Sequence, residues 1–413
     1  MNSSTSSSSK NIKNSNKNNM QVSSRKLYTY VALKLGAVMA IAMLIIYAYL
    51  SAIGATGQGV FGRVSQAREA MIKIVKEPND LVMFYGSSMT RAGFSPRQFD
   101  RNLAQKGKQV TSFNFGFGGV NPYFQDFLSR RIAHDMQHNE RRFKLVMIEF
   151  NPFQATRARW KRAQPEIDSL LTLMASDKEL MAIAQQDIAR GVRLFNIKYL
   201  RAGISAEMIT TYFAYAMFPP KSTQIHRDDD KTAAKRQQLE QALSERFEQD
   251  YPNYVDSQWS YEWRGGGTIP QERSAETLAL FDEYYNASFT DAMMKNDRLS
   301  RIASADIEEL HFEPLLIESF INTVRQFQRV SDEVKVIILP KNSKWITTTA
   351  QGNKRLAQAI AQIEAGTNIR IDNHQDIPEI TADMYRDSTH LSRYRGGVAY
   401  TNYLIKEYEN LLD

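Results

Sequence analysis

Cysteine is absent from the 413 residues, so the chain can build neither a disulfide framework nor a thiolate zinc site. No internal repeat is visible. Acidic residues are missing from the first 26 positions, which hold Lys10, Lys13, Lys17, Arg25 and Lys26. Those five supply most of the net charge of +7 and leave +2 for everything after them. The basicity therefore belongs to a tail, and a broad basic face for nucleic acid is not expected. Charge is missing again from Leu35 to Ile53, the one long apolar run. The composition of the whole chain, 43% hydrophobic and 23% charged residues, is ordinary for a globular protein with room for a large core.

The tail, rich in Ser, Asn and Lys, is too polar to bury a core and is expected to be disordered over 1–26. A transmembrane helix is expected over 27–54, because the uncharged run approaches the ~20 residues that cross a bilayer. Lys34 at its edge can snorkel. Positive charge on the N-terminal side puts the tail in the cytoplasm and everything after about residue 55 outside. A cleaved signal peptide is the rival reading. The run exceeds the usual apolar region of ~7–15 residues, although Ala52, Gly54 and Ala55 are small enough to form a cleavage site.

A linker helix over 55–78 follows, with Val60, Val64, Ala67, Met71 and Ile74 on one side. Apolar strands at 81–85, 110–115 and 145–150 alternate with helices at 95–107 and 123–138, the pattern of a parallel α/β sheet. Strands resume at 334–339 and 369–372, separated by a helix at 353–364 and followed by one at 397–411. The fold class expected is α/β, with one core split into 79–154 and 331–413. Between the halves, 155–330 reads as a long, mainly helical insertion. It contains a capping box at Ser176 to Glu179 and a charged helix within 221–250. It also holds an aromatic cluster (Tyr212, Phe213, Tyr215, Phe218) and a loop with Tyr254, Trp259, Tyr261 and Trp263 beside Gly265 to Gly267. The first suits buried core or a membrane contact. The second suits a hinged lid, sugar stacking or a small core of its own.

Strand one ends in Gly86-Ser87-Ser88. A serine on a tight turn from strand to helix is presented at the sheet edge, with helix amides nearby to stabilise negative charge, and Ser88 is the candidate nucleophile. Before the last helix lies Asp387-Ser388-Thr389-His390, where an acid three residues ahead of a histidine can fix its tautomer. In an open parallel sheet the loops at the carboxyl ends of the strands converge. Ser88, Gly119, Asn151 and His390 all fall in such loops. The Ser88 amide, the Gly119 amide and the Asn151 side chain are the candidate oxyanion donors. His134 and His138 stand four apart on a predicted helix, but no third ligand accompanies them, and no metal or cofactor is expected.

Four segments, Gly86-Ser87-Ser88, Asn114 to Gly119, Glu149-Phe150-Asn151 and Asp387-Ser388-Thr389-His390, resemble the ordered blocks of the SGNH (GDSL-like) hydrolase superfamily. The resemblance covers about 80–155 and 330–410. Two departures stand out: Gly-Ser-Ser replaces the usual Gly-Asp-Ser, and Glu-Phe-Asn-Pro replaces Gly-x-Asn-Asp. The first is typical of the membrane-anchored branch similar to DltD-type and alginate-acetylation proteins.

The resemblance implies a three-layer α/β/α flavodoxin-like sheet and a serine nucleophile (Ser88), with His390 as base and Asp387 as its partner. It implies a membrane-anchored acyltransferase that places an acetyl or D-alanyl group on a cell-envelope polymer. The implied partner is a multi-spanning MBOAT acyltransferase, and the implied location the outer (periplasmic) side of a bacterial cytoplasmic membrane. Two alternatives stay open: an esterase that removes acyl groups from the same polymers, and a non-catalytic assembly subunit.

Overall fold

Apolar runs that stop at serine, glycine or proline become the strands of one sheet. In a computed structural model that describes residues 9–52, 58–201, 206, 230–250, 274–288, 290–392 and 395–412, they are β1 (Asp80–Ser87), β2 (Val110–Phe117), β3 (Phe143–Glu149), β4 (Ser331–Ile338) and β5 (Ile371–Asn373). All four pairings are parallel, in the order β2-β1-β3-β4-β5. The protein is thus α/β, and the rest is mostly helical: α1 (Ser9–Ala52), α2 (Gln58–Ile74), α3 (Ser88–Gly93), α4 (Pro96–Ala104), α5 (Pro122–His138), α6 (Arg157–Met174), α7 (Asp177–Gln186), α8 (Ile188–Leu200), α9 (Asp230–Asp250), α10 (Ala275–Ser288), α11 (Asp291–Ala305), α12 (Pro314–Gln328), α13 (Ala350–Thr367) and α14 (Gly396–Tyr408).

β1 is buried from Leu81 to Ser87, as a strand covered on both faces must be. Phe84 and Tyr85 show what covers it, since successive strand residues point to opposite faces. Phe84 meets Phe94 edge-on at 5.5 Å, and Phe94 meets Phe99 of α4. Tyr85 meets Phe327 of α12 at 4.9 Å and donates its hydroxyl to the Gln125 carbonyl of α5 at 2.6 Å. One face therefore carries α3, α4 and α14, and the other α5 and α12, against which α13 packs. From β1 the chain crosses to β2 on one side and then returns past β1 to β3. The loops after β1 and β3 diverge there and leave a crevice at the carboxyl edge.

Several boundaries differ from those the sequence suggests. The helix expected over 95–107 is α4, which starts at Pro96 because proline at a first helical position is pre-set for the turn and keeps Ser95 extended. α12, included in the 155–330 insertion by sequence, packs on α5 and β4 and serves as the crossover helix between β3 and β4. Its buried face runs through Leu316, Ile317, Phe320, Val324 and Phe327. Hydrophobic periodicity marks such a face but does not name what it meets. The capping box at Ser176 and Glu179 forms as expected, and Val64, Ala67, Met71 and Ile74 of α2 are buried.

Disorder is expected over 1–26; α1 begins at Ser9, and residues 1–8 lie outside the described residues. No glycine or proline interrupts the chain between Ser9 and Leu35, so the apolar helix propagates back through the polar segment. Within α1, Lys26–Ile46 is long and apolar enough to cross a membrane, with mean hydropathy 2.1 and none of it buried by the described residues. It overlaps the uncharged run from Leu35 to Ile53. The two aromatic groups of the insertion, Tyr212 to Phe218 and Tyr254 to Trp263, lie outside the described residues.

Candidate active site

Ser87 and Ser88 form the junction of β1 and α3. Ser87 is the helix N-cap, its hydroxyl accepting from the Met89 amide at 3.1 Å, and it is fully buried. Ser88 is the first helical residue and partly exposed. The turn is tied down from beneath by Glu149, the last residue of β3, which is 1% exposed. Its Oε2 accepts from the Ser87 amide at 2.7 Å, the Thr90 amide at 3.2 Å and the Thr90 hydroxyl at 2.5 Å. Its Oε1 accepts from the Ser87 hydroxyl at 2.7 Å. Four donors on one carboxyl group leave little of its acceptor capacity unused. Gly86 makes room for this: a Cβ there would lie 2.2 Å from Thr90 Oγ1 and 2.4 Å from Glu149 Oε2. Asn114 holds the far end of α3, its side-chain amide donating to the Thr90 and Phe94 carbonyls at 3.1 and 2.8 Å.

The second half of the site comes from a tight loop between β5 and α14. Tyr385 bridges Leu391, the Arg386 amide donates to the His390 carbonyl at 2.8 Å, and the Ser392 amide to Met384 at 2.8 Å. Inside this loop His390 Nδ1 faces Asp387 at 2.8 and 3.0 Å, and His390 Nε2 lies 2.8 Å from Ser88 Oγ. Residues 302 positions apart thus meet in a serine, histidine and aspartate relay. Asp387 also accepts from the Thr389 and His390 amides, both at 2.8 Å. Burial works to raise its pKa, but the charge and hydrogen bond of His390, the Arg301 guanidinium and the Thr389 amide outweigh it, and the carboxyl is held well below the usual range.

Arg301 belongs to α11, in the insertion. Its Nη2 is 3.4 Å from Asp387 and its Nε donates to Asp297 at 2.8 Å. Asp297 accepts in turn from the Ser388 amide at 3.1 Å and from the Ser388 hydroxyl. The insertion therefore clamps the loop that carries the acid and the imidazole.

The oxyanion candidates lie around the same serine in different states of engagement. Gly119 sits in the turn after β2 with φ +79°, a conformation that favours glycine, and its carbonyl accepts from Arg159 Nη2 at 3.1 Å. The neighbouring Gly118 is close enough that a Cβ added there would lie 4.0 Å from Ser88 Cβ. The Asn151 amide donates to Ser87 Oγ at 3.0 Å and faces Met89 Sδ at 3.3 Å, a weak acceptor. Its oxygen caps the short helix at Pro152–Gln154. His134 and His138 stack at 6.1 Å, and among the described residues no group of three possible metal ligands occurs.

Sequence reasoning gave no role to Glu149, Asn114, Asp297 or Arg301. The signal for Glu149 was present: an acid inside an otherwise apolar strand must be satisfied by donors nearby. Asp297 and Arg301 had none, since 91 residues separate Asp297 from Ser388. Compared with known proteins, the chain matches no protein-family model and no curated protein.

Proposed function

We propose that the protein is a membrane-anchored serine O-acyltransferase with a flavodoxin-like, SGNH-type core. The observation that carries this reading is the unbroken path from Ser88 Oγ through His390 to Asp387, with links of 2.8 Å, at the carboxyl edge of the sheet. The strand order β2-β1-β3-β4-β5 is the doubly wound order whose ligands bind where the order reverses. The four strand-end segments that resemble SGNH hydrolases lie around that edge.

In the first half-reaction Ser88 Oγ attacks the acyl carbonyl and gives its proton to His390 Nε2. The imidazolium, stabilised by Asp387, passes that proton to the departing group of the donor and leaves an acyl-serine. In the second, a polymer hydroxyl attacks the acyl-serine and gives its proton to His390, which returns it to the Ser88 oxygen as that bond breaks. Amides of the Ser88 and Gly119 turns are the donors for the oxyanion in both.

The apolar part of α1 supports a single-pass anchor. An anchor would hold Ser88 near a membrane-embedded acyl donor at high effective concentration, which suits an MBOAT-type partner and a cell-envelope polymer as acceptor on the periplasmic side. Treating the full chain in detergent with a serine-reactive fluorophosphonate, and locating the adduct by mass spectrometry, tests the reading. Label on Ser88 that is lost in His390→Ala is the expected result; label elsewhere, or none, overturns it.

A further inference from the structure

Arg159, near the start of α6, is a half-buried cation that, among the described residues, forms no ion pair. Its Nε donates to Gln154 Oε1 at 2.7 Å and its Nη2 to the Gly119 carbonyl at 3.1 Å, both neutral acceptors. Among the described residues, no carboxylate lies within ion-pair distance of Arg159, and Nη1 makes no hydrogen bond. Burial pushes the guanidinium below its ordinary pKa. Glu166 works in the other direction, while Arg162 and Arg301 add to the drop. These three arginines reach one region because α6 packs on α11. Arg301 is already committed to Asp297 and Asp387. Arg162, three residues on from Arg159 and therefore on the same side of the helix, is exposed.

Clustered positive charge that Glu166 only partly offsets is unfavourable wherever water is partly excluded, and a bound anion relieves it. The placement puts that anion near the nucleophile. The Gly119 carbonyl that Arg159 grips belongs to the turn whose Gly118 lies against Ser88.

We infer that Arg159, with Arg162 beside it, recognises an anionic group, a carboxylate or a phosphate, on the acyl acceptor and so brings an acceptor hydroxyl to Ser88. The inference rests on the acyltransferase reading for the word acceptor, but the anion site itself does not. A planar guanidinium fork suits either oxyanion and gives orientation as well as attraction.

The test is equilibrium binding to the full chain in detergent with three probes: inorganic phosphate, a glucuronic acid trimer and a neutral glucose trimer. The parent and Ser88→Ala should both bind at least one anionic probe about tenfold more tightly than the glucose trimer. Preference for the trimer over phosphate assigns a carboxylate, and the reverse a phosphate. Arg159→Gln should lose the preference for anions and Arg159→Lys keep part of it. Arg162→Gln, on the exposed side, should weaken it about two- to fivefold without touching the Gly119 turn, and it decides the matter if Arg159→Gln does not fold. No anion preference in the parent, or one unchanged in folded Arg159→Gln or, failing that, in Arg162→Gln, overturns the inference. Loss of fluorophosphonate labelling at Ser88 with anion preference intact would instead overturn the acyltransferase reading and leave the anion site standing.

Discussion

Ser87 and Ser88 are neighbours in the chain and opposites in environment. Ser87 gives its hydroxyl to Glu149 and receives the Met89 and Asn151 amides, whereas Ser88 meets His390. Replacing each with alanine should separate the two roles. Ser88→Ala should abolish fluorophosphonate labelling and leave the urea midpoint nearly unchanged, since little packing is lost. Ser87→Ala should keep label at Ser88 but cost about 1–3 kcal/mol, because buried donors and an acceptor lose their partner. Asp387→Asn keeps the shape but presents an amide to His390 Nδ1, which favours the wrong tautomer. Acyl transfer should fall by on the order of 10³–10⁴-fold in kcat with KM little changed.

Among the elements, two hold the site in place without touching Ser88 or His390. β3 ends in Glu149, which fixes the β1–α3 turn by four hydrogen bonds. Glu149→Gln turns one acceptor into a donor that faces other donors. We expect a loss of about 1–3 kcal/mol in unfolding free energy, together with slower labelling of Ser88. α11 holds the other side through Asp297, Arg301 and Ser388. Removing Asp297 frees Ser388 and leaves Arg301 only its contact with Asp387, and a displaced His390 loop is a displaced base. Asp297→Ala should lower kcat by about 10–100-fold while the thermal midpoint changes little, measured on a small acetyl ester.

For the molecule as a whole, two groups outside the serine, histidine and aspartate relay, half-buried Asp126 and buried His374, set opposing responses to acid. Asp126 is pushed up to about 6, chiefly by burial, with Arg130 opposing and Glu318 adding to it. His374, hydrogen-bonded to the Tyr400 hydroxyl and packed among tyrosines, is pushed down to about 4 by burial, against the field of Asp372. Between pH ~4 and ~6 the folded chain keeps a proton on Asp126 that the unfolded chain has lost, so that group makes stability fall as pH rises. Between ~4 and ~6.5 the unfolded chain protonates His374 while the folded chain does not, so that group makes stability rise with pH. The two offset in the parent. Asp126→Asn should unmask a rising slope and His374→Gln a falling one, each on the order of 2–3 kcal/mol across the window, read from urea unfolding at several pH values. A parent with a steep slope of either sign would show that one of the two groups is not buried as described.

The linear sequence determined what is local. Val82 to Tyr85 had to be a buried strand, Ser88 had to follow a strand end, Asp387 and His390 had to share a loop, and Leu35 to Ile53 is an uncharged run apolar enough for a bilayer. Those conclusions need only periodicity, turn chemistry and spacing of a few residues. Tertiary structure decided what distance along the chain conceals. It turned Ser88 rather than Ser87 toward His390, put Glu149 beneath the turn, and made α12 a layer of the core instead of part of the insertion. It also carried Arg301 and Asp297 onto the acid loop and, among the described residues, left Arg159 without an ion pair. Each of these depends on which buried faces find one another, and hydrophobic patterning marks a face without naming its partner.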